Sequence, residues 1–286
     1  MRFETGKQFL AEPHKRLTLM GMSNIGKTTL AASMPASNWF HYSVDYRLAT
    51  AYLKEAMVDV IKTHMMTLPY LSMHLREDLM SVDLNVGFGR LGMVSHYLGK
   101  LGNPYAGGLL VDEFNRRQER HRRAEIAAVG DIPTFIARGF EIYGYDHFIN
   151  DASGSLCELI NLDDDDDPVL RSVIDHTVLI YLKADAEQEA ALIDRAVRHP
   201  KPLYFRPEFL DLELQAYLVA QGSSSTSEID PDEFVKWVFV RLLEARRPRY
   251  EHIARYGYTI EARNVAGANE TGFLHLIAKV IDEVHV

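Results

Sequence analysis

The stretch Gly21-Met22-Ser23-Asn24-Ile25-Gly26-Lys27-Thr28 fits G-x-x-x-x-G-K-[ST] at every position. Its flanks matter as much as the match. Residues 16–20 (Arg-Leu-Thr-Leu-Met) read as a short buried strand, and residues 28–34 as a helix. Strand, glycine loop and helix in that order commit this part of the chain to an α/β arrangement and give the motif a mechanism. Gly21 and Gly26 permit backbone angles and close approach that a Cβ would block. The amides of Ser23, Asn24, Ile25, Gly26 and Thr29 are then free to face phosphate oxygens. Lys27 is expected to reach the β- and γ-phosphates of a nucleoside triphosphate, and the Thr28 hydroxyl to ligate Mg²⁺.

The remaining chain alternates strands with helices. Residues 39–44 are aromatic and β-prone, 147–151 read as a strand tip, 177–182 as a strong buried strand and 258–262 as a last short strand. Helices are expected over 48–66, from about Ala186, over 232–245 and over 270–284, with a flexible loop at 222–228. Residues 67–146 alternate helical pieces with breaks at Pro69, Gly87, Gly89, Gly92, Gly102-Asn103-Pro104 and Gly107-Gly108, with no clean strand. The predicted architecture is a mostly parallel five-stranded sheet covered by helices on both faces, a three-layer sandwich. Residues 1–49 and 147–286 form its core, and residues 50–146 a large helical insertion between the second and third strands.

Charge and cysteine usage narrow the function. A net charge of −9 argues against broad binding to nucleic acid or to an anionic membrane. The single cysteine, Cys157, excludes an internal disulfide framework, and residues 1–7 lack an apolar core of signal-peptide length. A cytoplasmic protein is expected. Cys157 is expected to be packing, since no histidine stands at suggestive spacing. The twelve histidines show no H-E-x-x-H pattern, which speaks against a zinc site.

A second set of residues resembles the shikimate kinase group of P-loop small-molecule kinases, within the P-loop NTPase superfamily. Strand residues 178–182 lead to Lys183-Ala184-Asp185, an acidic helix holding Arg195, then Lys201-Pro202-Leu203. That order matches the family's strand, helix and mobile lid. Residues 246–254, Arg-Arg-Pro-Arg-Tyr-Glu-His-Ile-Ala, resemble its Arg-x-Pro-Leu-Tyr-x-x-[IV]-Ala element, and Ser43-Val44-Asp45 stands where the family has Asp-x-Asp. Ser43 in place of the first aspartate, Lys201 in place of the lid arginine, and Asp151-Ala152-Ser153-Gly154-Ser155 in place of a triple-glycine turn point away from shikimate as the acceptor.

The resemblance implies a kinase that transfers the γ-phosphoryl group of Mg-ATP to a small hydroxylated or phosphorylated metabolite. Lys27, Asp45 and Lys201 would be catalytic, Arg195 would stack on adenine, and Asp151 would join Thr28 at Mg²⁺. Arg47, Ser153 and Arg246 would hold the acceptor, and residues 195–207 would close as a lid. For Asp45 and Asp151 a helix-cap role stands beside the catalytic one. Arg195 has the alternative of a surface pair with Glu189 or Asp194. Residues 108–113 (Gly-Leu-Leu-Val-Asp-Glu) form a rival carboxylate element, readable as the Mg²⁺- and water-handling strand of an ATPase or as a helix start at Asp112. The alternative function is therefore an ATPase driving a partner or a conformational switch, and a third is a nucleotide-binding module with little turnover. Two charged runs complete the reading. Residues 116–123 carry five arginines on neighbouring helix faces, either solvated or facing a polyanion, and residues 163–167 are five aspartates, expected to be a solvated loop.

Overall fold

The computed structural model describes residues 1–88 and 91–284. Gly89, one of the breaks expected above, lies outside the described residues. Five strands form one sheet: β1 (Arg16–Met20), β2 (Trp39–Ser43), β3 (His147–Asp151), β4 (Val178–Lys183) and β5 (Tyr258–Glu261), in the order β2-β3-β1-β4-β5. Every pairing is parallel, so the sheet is wholly and not mostly parallel. Parallel strands need crossover connections. Before the crossover from β1 comes α1 (Gly6–Ala11), and in it α2 (Lys27–Ala32). Between β2 and β3 lie α3 (Val44–Arg47), a π-helical turn at Leu48–Tyr52, α4 (Lys54–Met65), α5 (Pro69–Arg76), α6 (Gly92–Leu98), α7 (Val111–Gly130) and α8 (Ile132–Glu141). Next come α9 (Leu156–Leu159) and α10 (Pro168–Ile174), then α11 (Ala186–Arg198), α12 (Pro207–Gln221) and α13 (Pro231–Ala254) after β4, and α14 (Glu270–Val284) after β5.

Four or five successive residues are buried in β1 and β4, which requires apolar cover on both faces. The main core joins the sheet to α2, α7, α10 and α14, and a second apolar cluster gathers Phe114, Phe205, Phe209, Tyr217 and Phe234 beneath α12 and α13. The helical character expected for residues 50–146 is present. The only strand-like pairing there among the described residues is one bridge between Leu101 and Leu109.

Several elements differ from the expectation, among them the helix expected over 48–66, which is divided into a π-helical turn and α4, and α10, which was not expected. α1 was not foreseen, although Thr5 and Gln8 form a capping box on its first turn and Gly6 packs against α14. α12 was not foreseen either, although Pro207 opens it and Gly222 closes it at φ 65°. α13 runs through Pro248 to Ala254 instead of stopping near 245. Leu242, Arg246, Tyr250 and Ile253 keep one buried face continuous across that proline, and this packing outweighs the lost helix bond. The aspartate run behaves as a loop whose last member, Asp167, caps α10 through the amides of Val169 and Leu170. Among the described residues no helix is long and apolar enough to cross a membrane.

Candidate functional site

The glycine loop leaves β1 with Gly21 at φ 151°, where a Cβ would stand 2.7 Å from the Leu182 carbonyl of β4. Asn24 (φ 65°) and Gly26 (φ 101°) are left-handed, a backbone state found in anion-binding nests, whereas the Ile25 amide, expected to be free, donates to the Met22 carbonyl at 3.3 Å. Lys27 is buried, and its Nζ donates to the carbonyls of Gly21 (2.8 Å) and Met22 (2.9 Å). One of the three ammonium protons is left for another acceptor. Burial pushes the Lys27 pKa down, and the carboxylates of Asp151 and Asp45 push back.

Strand register then brings the carboxylates to this loop. Ser43 on β2 pairs with Asp151 on β3, and Asp151 pairs with Leu19 on β1, so the carboxyl ends of three strands sit level. Ligands gather at that edge of an open parallel sheet. Thr28 Oγ1 donates to Asp151 Oδ2 at 2.5 Å. Asp45, in the first turn of α3, lines the same cavity as Lys27, Thr28 and Asp151, and the cavity measures about 310 Å³. That is the low end of the small-molecule range. Burial first, then the charge of Asp151, raises the Asp45 pKa to about 6, with Lys27 partly offsetting both. No helix-cap role falls to either aspartate. Ser43 caps α3 by accepting from the Tyr46 amide, and Asp151 ends its strand.

Other expected residues fall in two groups. Ser23, Asn24, Ser153, Arg195, Lys201 and Arg246 line the cavity with the residues above. Arg195 is exposed and makes neither expected surface pair, because Asp194 bonds Arg198 and Glu189 bonds Arg247. Ile25 does not line the cavity; it is buried in the main core, and Thr29 lies on the exposed side of α2. Arg47 is a correction. Its guanidinium bonds Asp131 at 2.7 Å, stands beside Tyr52, and turns away from the cavity.

Arg246 has a structural role that the sequence did not show. It lines the cavity, yet its Nε bonds Glu158 at 2.9 Å, its Nη1 the Gly154 carbonyl at 3.0 Å and its Nη2 the Tyr204 carbonyl at 2.9 Å. These bonds use three of the five guanidinium N–H donors, so the side chain braces the walls while it lines the cavity. The lid expectation is corrected in part. Residues 199–202 are open, whereas Tyr204 and Phe205 are buried, and Gln118 of α7 pins this strap through the Leu203 carbonyl and the Phe205 amide, both at 2.9 Å. Asp112 and Glu113 open α7 outside the cavity, with Glu113 tied to Arg116 and Arg117.

The sequence reading missed the polar floor beneath the cavity. Glu125 of α7 is fully buried and accepts from Ser155 Oγ at 2.8 and 2.9 Å and from Ser153 Oγ. Burial, then the charge of Asp45, raises its pKa to about 8. One turn earlier His121 stands with Nδ1 3.5 Å from Glu125 Oε2. Burial drives the His121 pKa to about 4, so at neutral pH both groups are uncharged and the approach is not an ion pair. Glu158 receives Arg246 on one oxygen and Arg206 on the other. A spacing signal existed. Phe114, Gln118, His121, Glu125 and Ala128 recur every three or four residues, the stripe of a buried helix face, but its middle is polar.

Gly154 joins this floor to the loop. A Cβ there would come within 2.8 Å of the Ser23 amide, and the Gly154 carbonyl also accepts from Tyr250 Oη at 2.6 Å. Among the described residues no group of three or more His, Cys, Asp or Glu side chains could hold a metal unaided. One alcohol and one carboxylate, Thr28 and Asp151, suit a hard cation that keeps most of its waters and takes its remaining oxygens from phosphate. No protein-family model matches the chain, and no curated protein matches it.

Proposed function

We propose that the chain is an ATP-binding P-loop kinase that moves the γ-phosphoryl group of ATP to a hydroxyl of a small acceptor. The observation that carries this reading is the convergence of Lys27, Thr28, Asp151 and Asp45 on one cavity at the glycine loop. Phosphoryl transfer needs positioning and charge neutralisation more than covalent chemistry, and these groups supply both. The loop amides and Lys27 hold the β- and γ-phosphates. Thr28 and Asp151 would hold Mg²⁺, which neutralises charge on the phosphates when bound. Asp45, its pKa near 6, is ionised at neutral pH and basic enough to accept a proton. In the transfer, the acceptor oxygen bonds to the γ-phosphorus as the bond to the β–γ bridging oxygen breaks. The hydroxyl proton passes to Asp45, and ADP leaves.

Arg195 and Lys201, exposed on α11 and the open part of the strap, line the same cavity, and in this reading they take the nucleotide and its γ-phosphate. Hydrolysis as the primary activity would need another carboxylate aimed at water, and Glu113 is committed to two arginines away from the cavity. The test is a screen of metabolite pools for ATP-dependent mass gain of one phosphoryl group, run beside Lys27→Ala. We expect Lys27→Ala to lose both Mg-ATP binding by calorimetry and product formation. Normal turnover by that variant rejects the reading.

A further inference from the structure

Resting on the kinase reading, we infer that the acceptor end of this cavity is built for an uncharged, hydroxyl-bearing molecule with an apolar body, not for a carboxylate or a phosphate ester. An acceptor whose hydroxyl reaches Asp45 must lie where α3 packs on α7, bounded by His121 of α7 and by Tyr204 of the strap. The two rings stack with centroids 5.2 Å apart at 20°. Both residues line the cavity at 4% exposure, and His121 Nδ1 and Tyr204 Oη have no hydrogen-bond partner. Native proteins rarely leave buried polar atoms unpaired, so two on one cavity wall mark a place for a ligand's polar groups.

The groups nearby favour a neutral ligand in that place. Arg246 of the cavity wall is oriented by bonds to Glu158, Gly154 and the Tyr204 carbonyl, and Arg206 takes the other oxygen of Glu158. Asp45 lines the same cavity, and its charge raises the proton affinity of the buried Glu125. A carboxylate or phosphate seated here would meet the charge of Asp45 and the neutral polar atoms of His121 and Tyr204, a mismatch of the kind by which sites reject a wrong ligand. Lys27, Arg195 and Lys201 remain, and the triphosphate requires them. The rest of the wall is apolar, with Leu91, Val94 and Leu98 on one side and Phe239 and Leu242 on the other. A neutral alcohol carrying a ring or alkyl body satisfies both features.

The experiment presents two pools to the enzyme with Mg-ATP: uncharged alcohols (nucleosides, aryl glycosides, aryl-alkyl alcohols) and anionic ones (hydroxy acids, sugar phosphates, nucleoside monophosphates). Mass spectrometry reads phosphorylated product, and a coupled assay reads ADP. Product from the uncharged pool is expected. Tyr204→Phe removes an oxygen that has no partner in the protein, so its thermal stability should hold or rise. Its KM for the uncharged acceptor should rise three- to tenfold, with the KM for Mg-ATP unchanged. His121→Phe should raise the same KM. Preference for the anionic pool, or an unaltered acceptor KM in both variants, overturns the inference while the kinase reading stands. ADP release with product from neither pool sinks the kinase reading and this inference with it.

Discussion

Glu125→Gln offers the sharpest test of the polar floor. Glu125 has no exposed surface, and its pKa rises from the ordinary 4.5 to about 8. The folded protein therefore holds this proton more tightly than the unfolded chain does. The resulting stability is fully present below pH 4.5 and is lost as pH climbs toward 8. Between pH 4 and 6.5 other groups interfere. Asp45, raised to about 6, acts in the same direction. His121, lowered to about 4 from 6.5, acts oppositely and adds stability as pH rises through that range. From pH 6.5 to 8 the Met1 amine, lowered from 8.0 mainly by burial, acts oppositely but equally in wild type and variant, so the difference between them isolates Glu125. Across that range one bound proton at about 1.4 kcal/mol per pH unit makes the Glu125 contribution fall by roughly 2 kcal/mol.

Glutamine keeps the shape and the hydrogen bonds to Ser153 and Ser155 without a titrating proton. Urea unfolding without nucleotide, at pH 6.5 and at pH 8, should show the variant's advantage over the wild type growing by that amount. Nucleotide must be absent because binding to the folded state would mask the term. Parallel pH profiles for the two proteins would mean that Glu125 is ionised in the fold, and the account of the floor would fail.

Gly154→Ala should press its methyl against Ser23 and weaken Mg-ATP binding by about tenfold in calorimetry, within the overpacking range. Arg246→Met should cost about 3 kcal/mol in denaturant unfolding, the low end for breaking a buried pair, since Arg206 still faces Glu158. A rise in acceptor KM at unchanged stability would contradict the bracing role. Asp45→Asn should lower kcat by about 100-fold or more at unchanged Mg-ATP KM, and should erase an acidic limb of kcat/KM near pH 6. A limb that persists in the variant would place the base elsewhere.

The parts of the fold legible in the sequence were those written in local signals. The five strands stood out because each is a short run of apolar or aromatic residues, and the glycine loop because its pattern tolerates few alternatives. α1 and α12 carried capping and proline signals too, but neither adjoined the motif on which attention fell. The continuation of α13 was hidden by Pro248, whose local cost is overridden only by contacts distant in sequence. Side-chain commitments were least visible. Arg47 and Arg246 are arginines of the right type near the right elements, and only the fold reveals that Asp131 and Glu158 had already claimed them. Likewise, the stripe on α7 keeps helical spacing while carrying Gln118, His121 and Glu125, so a search keyed to apolar residues passes over it.

Gln118 gives that stripe a further meaning. Its single amide grips the strap as a neighbouring strand would, accepting from one main-chain group and donating to another two residues apart. The strap's anchor is thus fastened to the long helix that carries His121 and Glu125. Tyr204, between the two residues that Gln118 holds, is thereby fixed in place relative to α7, so the wall of the chamber is built from two segments distant in sequence and fastened by one side chain.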